Sequence, residues 1–219
     1  MHHPSSAAAG GPARATLVEV FATRAADGAA RAFALSHLDP ARGPVIWVQD
    51  RLTRHEAGEP YLPGLGAGFR LIRVDLGKPA DVLWAMEQAL ECRGLGAVLG
   101  EIWGETAVAG FTATKRLALR AETHGVPCWL IRRAARPDLS AARERWRVAS
   151  APSLPHPDDD IAPGLPVWQA ELFRARGRQP GTWEMSWDSL SRRRIPAERA
   201  VAAHPGPALP AMTGTDPAP

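Results

Sequence analysis

Leu17-Val18-Glu19-Val20-Phe21, followed by Thr23-Arg24-Ala25-Ala26-Asp27-Gly28-Ala29-Ala30, is the stretch on which the reading of this chain turns. The first five residues read as a β-strand, and the alanine-rich run from Ala29 to Leu38 reads as a helix after a short turn. Strand, turn and helix in that order form the frame in which a P-loop, G-x-x-x-x-G-K-[ST], cradles phosphates. Here the frame is present and the chemistry is missing. Thr23 stands at the first glycine position and only Gly28 matches the second. Ala29 replaces the lysine that reaches the β/γ-phosphates, and Ala30 the hydroxyl that holds Mg²⁺. Asp27 adds a negative charge beside the place of the phosphate. The sequence predicts a nucleotide-hydrolase scaffold without its chemistry: no catalytic residue, no cofactor and no metal.

Composition sets the class. With 219 residues, 45% hydrophobic and 22% charged, the chain has enough material for one domain with a core, flanked by tails. The formal charge is +3 and the pI about 9.4; Lys78 and Lys115 are the only lysines, so the positive charge is nearly all arginine. Arginine favours bidentate pairing with carboxylate or phosphate over diffuse attraction. Cys92 and Cys128 have no metal-ligand or C-x-x-C spacing and read as two buried, reduced thiols. No apolar run reaches membrane-spanning length, and Met1 to Pro12 lacks the order of a signal peptide. The expectation is a soluble cytoplasmic protein.

Along the chain, residues 1–14 are Ser-, Ala-, Gly- and Pro-rich and read as disordered. Strands are expected at residues 44–48, 69–74, 95–102 and 128–131, with a further strand at 145–149. Residues 51–68, rich in glycine and proline, read as a loop. One helix opens at Pro79-Ala80-Asp81 and stops near Gly94; another, with Thr112 as its cap, ends at Gly125 before Pro127. Residues 150–166 read as a proline-rich, acidic connection, and 167–174 with 182–188 as a β-hairpin bearing Trp183, Met185 and Trp187 on one face. The alternation implies an α/β domain, a mostly parallel sheet flanked by helices, over residues 15–188. Residues 189–219 read as a mostly disordered tail.

In this order the chain resembles the ImuA family, RecA/SulA-like accessory proteins of bacterial DNA-damage-inducible mutagenesis cassettes. The resemblance is carried by Gly43-Pro44-Val45-Ile46-Trp47-Val48 and by Asp81-Val82-Leu83-Trp84-Ala85-Met86-Glu87-Gln88-Ala89-Leu90. Ala97-Val98-Leu99-Gly100-Glu101, Thr112-Ala113-Thr114-Lys115-Arg116-Leu117, Arg145-Trp146-Arg147-Val148 and the Trp168–Trp187 hairpin continue it. It implies a RecA-like core with a degenerate phosphate loop. On that core Asp50 takes the place of a water-activating carboxylate and Glu101 that of the Mg²⁺-binding acid, without the lysine and hydroxyl that would complete the site.

The resemblance implies a non-catalytic adaptor in SOS-induced, error-prone translesion synthesis. Its implied partners are a Y-family-polymerase-like subunit (ImuB), an error-prone replicative-type polymerase and, as a further candidate, RecA. A SulA-like inhibitor of a division GTPase is the alternative, and a DNA-binding module the weaker one. RecA-type recombinases hold DNA in loops that correspond here to Trp103–Gly110 and Ala134–Arg143, so direct DNA contact stays open.

Candidate surfaces follow from the residue types. Trp103 emerges at a strand end beside a loop and is read as an interface residue, with a core position as the competing reading. Arg132, Arg133 and Arg136 are expected along the same carboxyl edge of the sheet. Arg192, Arg193 and Arg194 form a run beside the tail suited to an acidic or phosphate-bearing partner. Glu101 and Glu105 read as strand-end carboxylates paired with arginine rather than metal ligands, and Asp50 with Arg51 reads the same way. Trp47, Trp129, Trp168 and Trp183 read as core.

Overall fold

The computed structural model describes residues 15–65, 68–188 and 193–196. In chain order the elements are β1 (Leu17–Ala22), α1 (Ala29–Ser36), β2 (Val45–Asp50), α2 (Arg51–Ala57), β3 (Leu71–Leu76), α3 (Pro79–Ala89), β4 (Ala97–Trp103), α4 (Phe111–His124) and β5 (Cys128–Arg133). β6 (Glu144–Ala151), β7 (Pro155–His156), β8 (Asp159–Pro163), β9 (Val167–Ala175), β10 (Gly181–Asp188) and β11 (Arg193–Pro196) follow. One sheet runs β11-β10-β9-β6-β1-β5-β4-β2-β3. From β6 to β3 every pairing is parallel; from β6 to β11 every pairing is antiparallel.

The central parallel strands β1, β2, β4 and β5 are mainly apolar on both faces because both are covered, whereas the edge strand β3 is exposed or half-buried throughout. Val18 and Val20 of β1, Trp47 of β2, Leu99 of β4 and Trp129 of β5 join α1 on one face. Leu17, Val48, Val98, Cys128 and Leu130 meet α3 and α4 on the other. Phe33 anchors α1: its ring lies 4.9 Å from that of Trp146 and 6.3 Å from that of Trp129, contacts worth about 1 kcal/mol each beyond the area they bury. Trp183 extends the cluster from β10, 5.7 Å from Trp146. Trp47, Trp129 and Trp168 are buried and Trp183 is partly so, as their strand positions require.

Two glycines let parallel strands start side by side. A Cβ on Gly43 would stand 2.3 Å from the Gly94 carbonyl oxygen, and one on Gly96 2.6 Å from that of Gly43. Gly125 closes α4 at φ 72°, where its N–H bonds to the Ala121 carbonyl.

Four expectations are corrected. Residues 51–57 form α2 rather than loop, because Asp50 caps it: Oδ1 accepts from the Thr53 N–H at 2.8 Å and Oδ2 from the Thr53 hydroxyl at 2.9 Å. Thr112 does not cap α4; Gly110 is the cap residue and supplies no side chain. The connection at 150–166 holds a small sheet of β7 and β8. Cys92 is exposed, while Cys128 is buried and burial pushes its thiol pKa up. Within the segment read as a tail, Arg193–Pro196 pairs antiparallel with β10; residues 1–14, 189–192 and 197–219 lie outside the described residues.

Candidate functional site

The turn between β1 and α1 opens at the carboxyl end of β1, the edge where open parallel sheets place ligands. A phosphate there would meet the helix N-terminus. The chain puts its own anion in that place. Asp27 Oδ1 accepts from the Ala29 N–H at 2.8 Å and from the Ser150 hydroxyl at 2.5 Å, and Oδ2 accepts from the Ser150 N–H at 2.8 Å. Burial alone would raise its pKa. The Ser150 and Ala29 hydrogen bonds, with the Arg24 charge, outweigh that and hold the carboxyl below its ordinary value.

Facing the turn is a cation, also from within. Arg133, at the end of β5, is completely buried; its Nη1 donates to the carbonyls of Ala25 at 2.6 Å and Asp27 at 2.8 Å. In a phosphate cradle the turn presents N–H groups inward; here Ala25 and Asp27 present carbonyls to a guanidinium. Arg133 Nε reaches the buried Glu101 Oε1 at 2.5 Å, and Glu101 Oε2 accepts from Arg31 Nη2 and Gln49 Nε2, each at 2.8 Å. Residues from β2, β5 and α1 therefore converge on one carboxylate of β4. Arg31 also stacks 5.2 Å from the Trp47 ring and donates to the carbonyls of Ala57 and Gly58 at the C-terminal end of α2.

On the opposite face of β1, Glu19 lies between two more buried arginines, 2.8 Å from Arg145 Nε and 3.5 Å from Arg132 Nη1. Arg132, Phe21, Arg145, Phe173 and Arg147 alternate across β5, β1, β6 and β9, each guanidinium carbon 4.2–5.7 Å from a ring centroid. Such stacking needs arginine's flat, weakly hydrated head.

No family model matches the chain. It is, however, 37% identical over 159 residues to "Protein ImuA" of Caulobacter vibrioides, in strain NA1000 / CB15N and equally in strain ATCC 19089 / CIP 103742 / CB 15. This similarity supports membership of the chain in the ImuA family. The match covers 66% of this chain and spans 61% of the length of each relative.

The sequence-derived candidates fall into three groups. Arg132 and Arg133 do not lie on an exposed edge: they are 1% and 0% exposed, drawn inward by Glu19 and Glu101. Adjacent in β5, the two arginines face opposite sides of the sheet, and each reaches a buried carboxylate two positions back on a neighbouring strand, Glu19 opposite Leu130 and Glu101 opposite Ile131, a pairing that the sequence of β5 alone does not signal. Trp103 is half-buried, its N–H donating to Asp50 Oδ2 at 3.3 Å, while Arg136 is 94% exposed and 3.9 Å from Glu105. Arg192 lies outside the described residues; Arg193 and Arg194 have described backbone only, opposite Asp188 and Trp187 of β10. Glu101 pairs with arginine as its position suggested, whereas Asp50 caps α2 and engages Thr53 rather than Arg51. Sequence reasoning missed Arg31, Asp27's partner Ser150 and the Glu19 cluster.

Proposed function

We propose that the chain is a non-catalytic adaptor in SOS-induced, error-prone translesion DNA synthesis, acting in the cytoplasm on a RecA-like core. The observation that carries the proposal is the occupation of the phosphate place by Asp27 and Arg133. A nucleotide's phosphates would have to displace Asp27 from the N-terminus of α1 and Arg133 from Glu101. They would gain neither the lysine nor the hydroxyl that normally repay that cost. Glu101 and Asp50, at the places of the Mg²⁺-binding and water-activating acids, are spent on Arg31, Arg133 and Gln49, and on Thr53 and Trp103. Among the described residues no group of His, Cys, Asp and Glu has the arrangement of a metal site, and no helix is long and apolar enough to cross a membrane.

Membership in the ImuA family supports the mutagenesis-cassette context. The proposed partners are an ImuB-like Y-family polymerase homologue, with RecA and an error-prone replicative-type polymerase as further ones. Co-expression of the chain with each candidate tests this: affinity capture of the chain should bring down the Y-family-like subunit stoichiometrically. Capture of none of the three, together with cell filamentation on expression of this chain alone, would favour a division inhibitor instead.

A further inference from the structure

The geometry points to head-to-tail self-association, with the acidic tip of the β7–β8 unit of one copy seated in a basic, half-apolar groove on a second copy. Self-association is independent of the adaptor reading and of any partner. The two surfaces lie at opposite ends of the same strand pair. β6 and β9 run antiparallel, with Ala151 opposite Val167 at one end and Glu144 opposite Ala175 at the other. The β7–β8 unit leaves from the Ala151/Val167 end. The groove lies at the Glu144/Ala175 end, roughly 25 Å away at the rise of an extended chain.

The groove has a volume of about 400 Å³ and runs between α4 and the β6–β9 ends. Its walls include Phe111, Lys115, Leu119, Arg143, Arg174 and Arg176. Phe111, Lys115 and Leu119 recur every four residues, so they stand on one stripe of α4. Phe111 and Leu119 are 44% and 48% exposed, a pair of large apolar side chains left uncovered among cations. Glu122 pairs with Arg143 at 2.6 Å and also feels the charge of Arg176, and one carboxylate against Lys115, Arg143, Arg174 and Arg176 leaves the groove with a positive balance. An occupant must therefore bring carboxylates and an aliphatic anchor.

The tip supplies both. His156-Pro157-Asp158-Asp159-Asp160-Ile161 carries three consecutive acids, of which Asp158 and Asp159 are exposed. Ile161 is 96% exposed, more than any other large apolar residue described. A nucleic acid would match the charge of this groove but not its lining, in which Leu119, Ala118, Ala141 and Ala142 are aliphatic and Phe111 is the one aromatic ring. Because the two patches differ and sit at opposite ends, the contact is heterologous and repeats along the strand direction instead of closing as a two-fold dimer. The tip is small, so the contact is weak and concentration-dependent.

Sedimentation velocity of the full chain, over a concentration series and at two salt levels, tests the proposal. Two double variants sharpen it: Asp158→Lys with Asp159→Lys at the tip, and Lys115→Glu with Arg174→Glu in the groove. All four positions are exposed, so the variants should fold, and circular dichroism melts are the check that they do. The wild-type chain should shift to larger species as concentration rises, less so at high salt. Each double variant alone should weaken association by about tenfold or more, since like charges then meet. Mixing the two variants should restore it, because each tip again faces a groove of opposite charge. A wild-type chain that stays monomeric throughout would overturn the proposal. So would association unaltered in both variants, no rescue on mixing, or larger species that form only when single-stranded DNA or another acidic protein is added.

Discussion

At the residue scale the molecule turns on buried arginines. Arg133 holds the Glu101 carboxylate and two carbonyls of the β1–α1 turn at once. Removing it leaves Glu101 buried with one guanidinium fewer and two carbonyls without their donor. Arg133→Ala should therefore cost about 3–5 kcal/mol in chemical denaturation. Arg136→Ala, at a fully solvated position, should leave the denaturation midpoint where it is. Equal effects of the two substitutions would show that the inward pairing of Arg133 is not what holds the turn. Asp27 adds a pH dependence of definite sign. Its folded pKa lies below the ordinary 3.8, so the stability it contributes is full above that value and is lost as pH falls through the depressed one. Asp27→Asn should lower stability at neutral pH and flatten the acid limb of the stability profile. An acid limb unchanged in the variant would remove Asp27 from the account.

At the scale of elements, what was legible in the sequence was whatever repeated. The central parallel strands were visible as apolar runs because both faces are buried, and α3 and α4 as helical spacings, α3 with a proline start and α4 with a glycine stop. Helix α2 was not: its seven residues carry no apolar stripe, and what makes it a helix is the Asp50–Thr53 cap, a local polar contact hidden among glycines and prolines. The strand–turn–helix order of β1 and α1 was readable directly, whereas the buried polar cluster beside the turn was not, since Arg31, Gln49, Glu101 and Arg133 come from four separate elements. Their meeting depends on strand order. The close passage of Gly43 and Gly96 belongs to this scale as well. Gly96→Ala places a Cβ against backbone that cannot swing aside, and should destabilise by about 1–3 kcal/mol. Urea unfolding checks this, and a midpoint equal to wild type would mean that the two turns separate freely.

At the scale of the whole molecule, a parallel half carrying the β1–α1 turn is joined through β6 to an antiparallel half. β11 closes the described edge of that half, so ending the chain after Asp188 should leave the domain folded while backbone amides of β10 exchange faster with solvent. Collapse of the truncated chain would show that the edge strand is required for the sheet. On the function proposed above, a nucleotide-hydrolase frame has been closed from within and kept for binding other macromolecules. Isothermal titration of the purified chain with Mg²⁺ and ATP tests it most directly. The account predicts no saturable heat up to millimolar nucleotide and no phosphate release. Stoichiometric binding in the micromolar range, with turnover that disappears in Glu101→Gln, would contradict it.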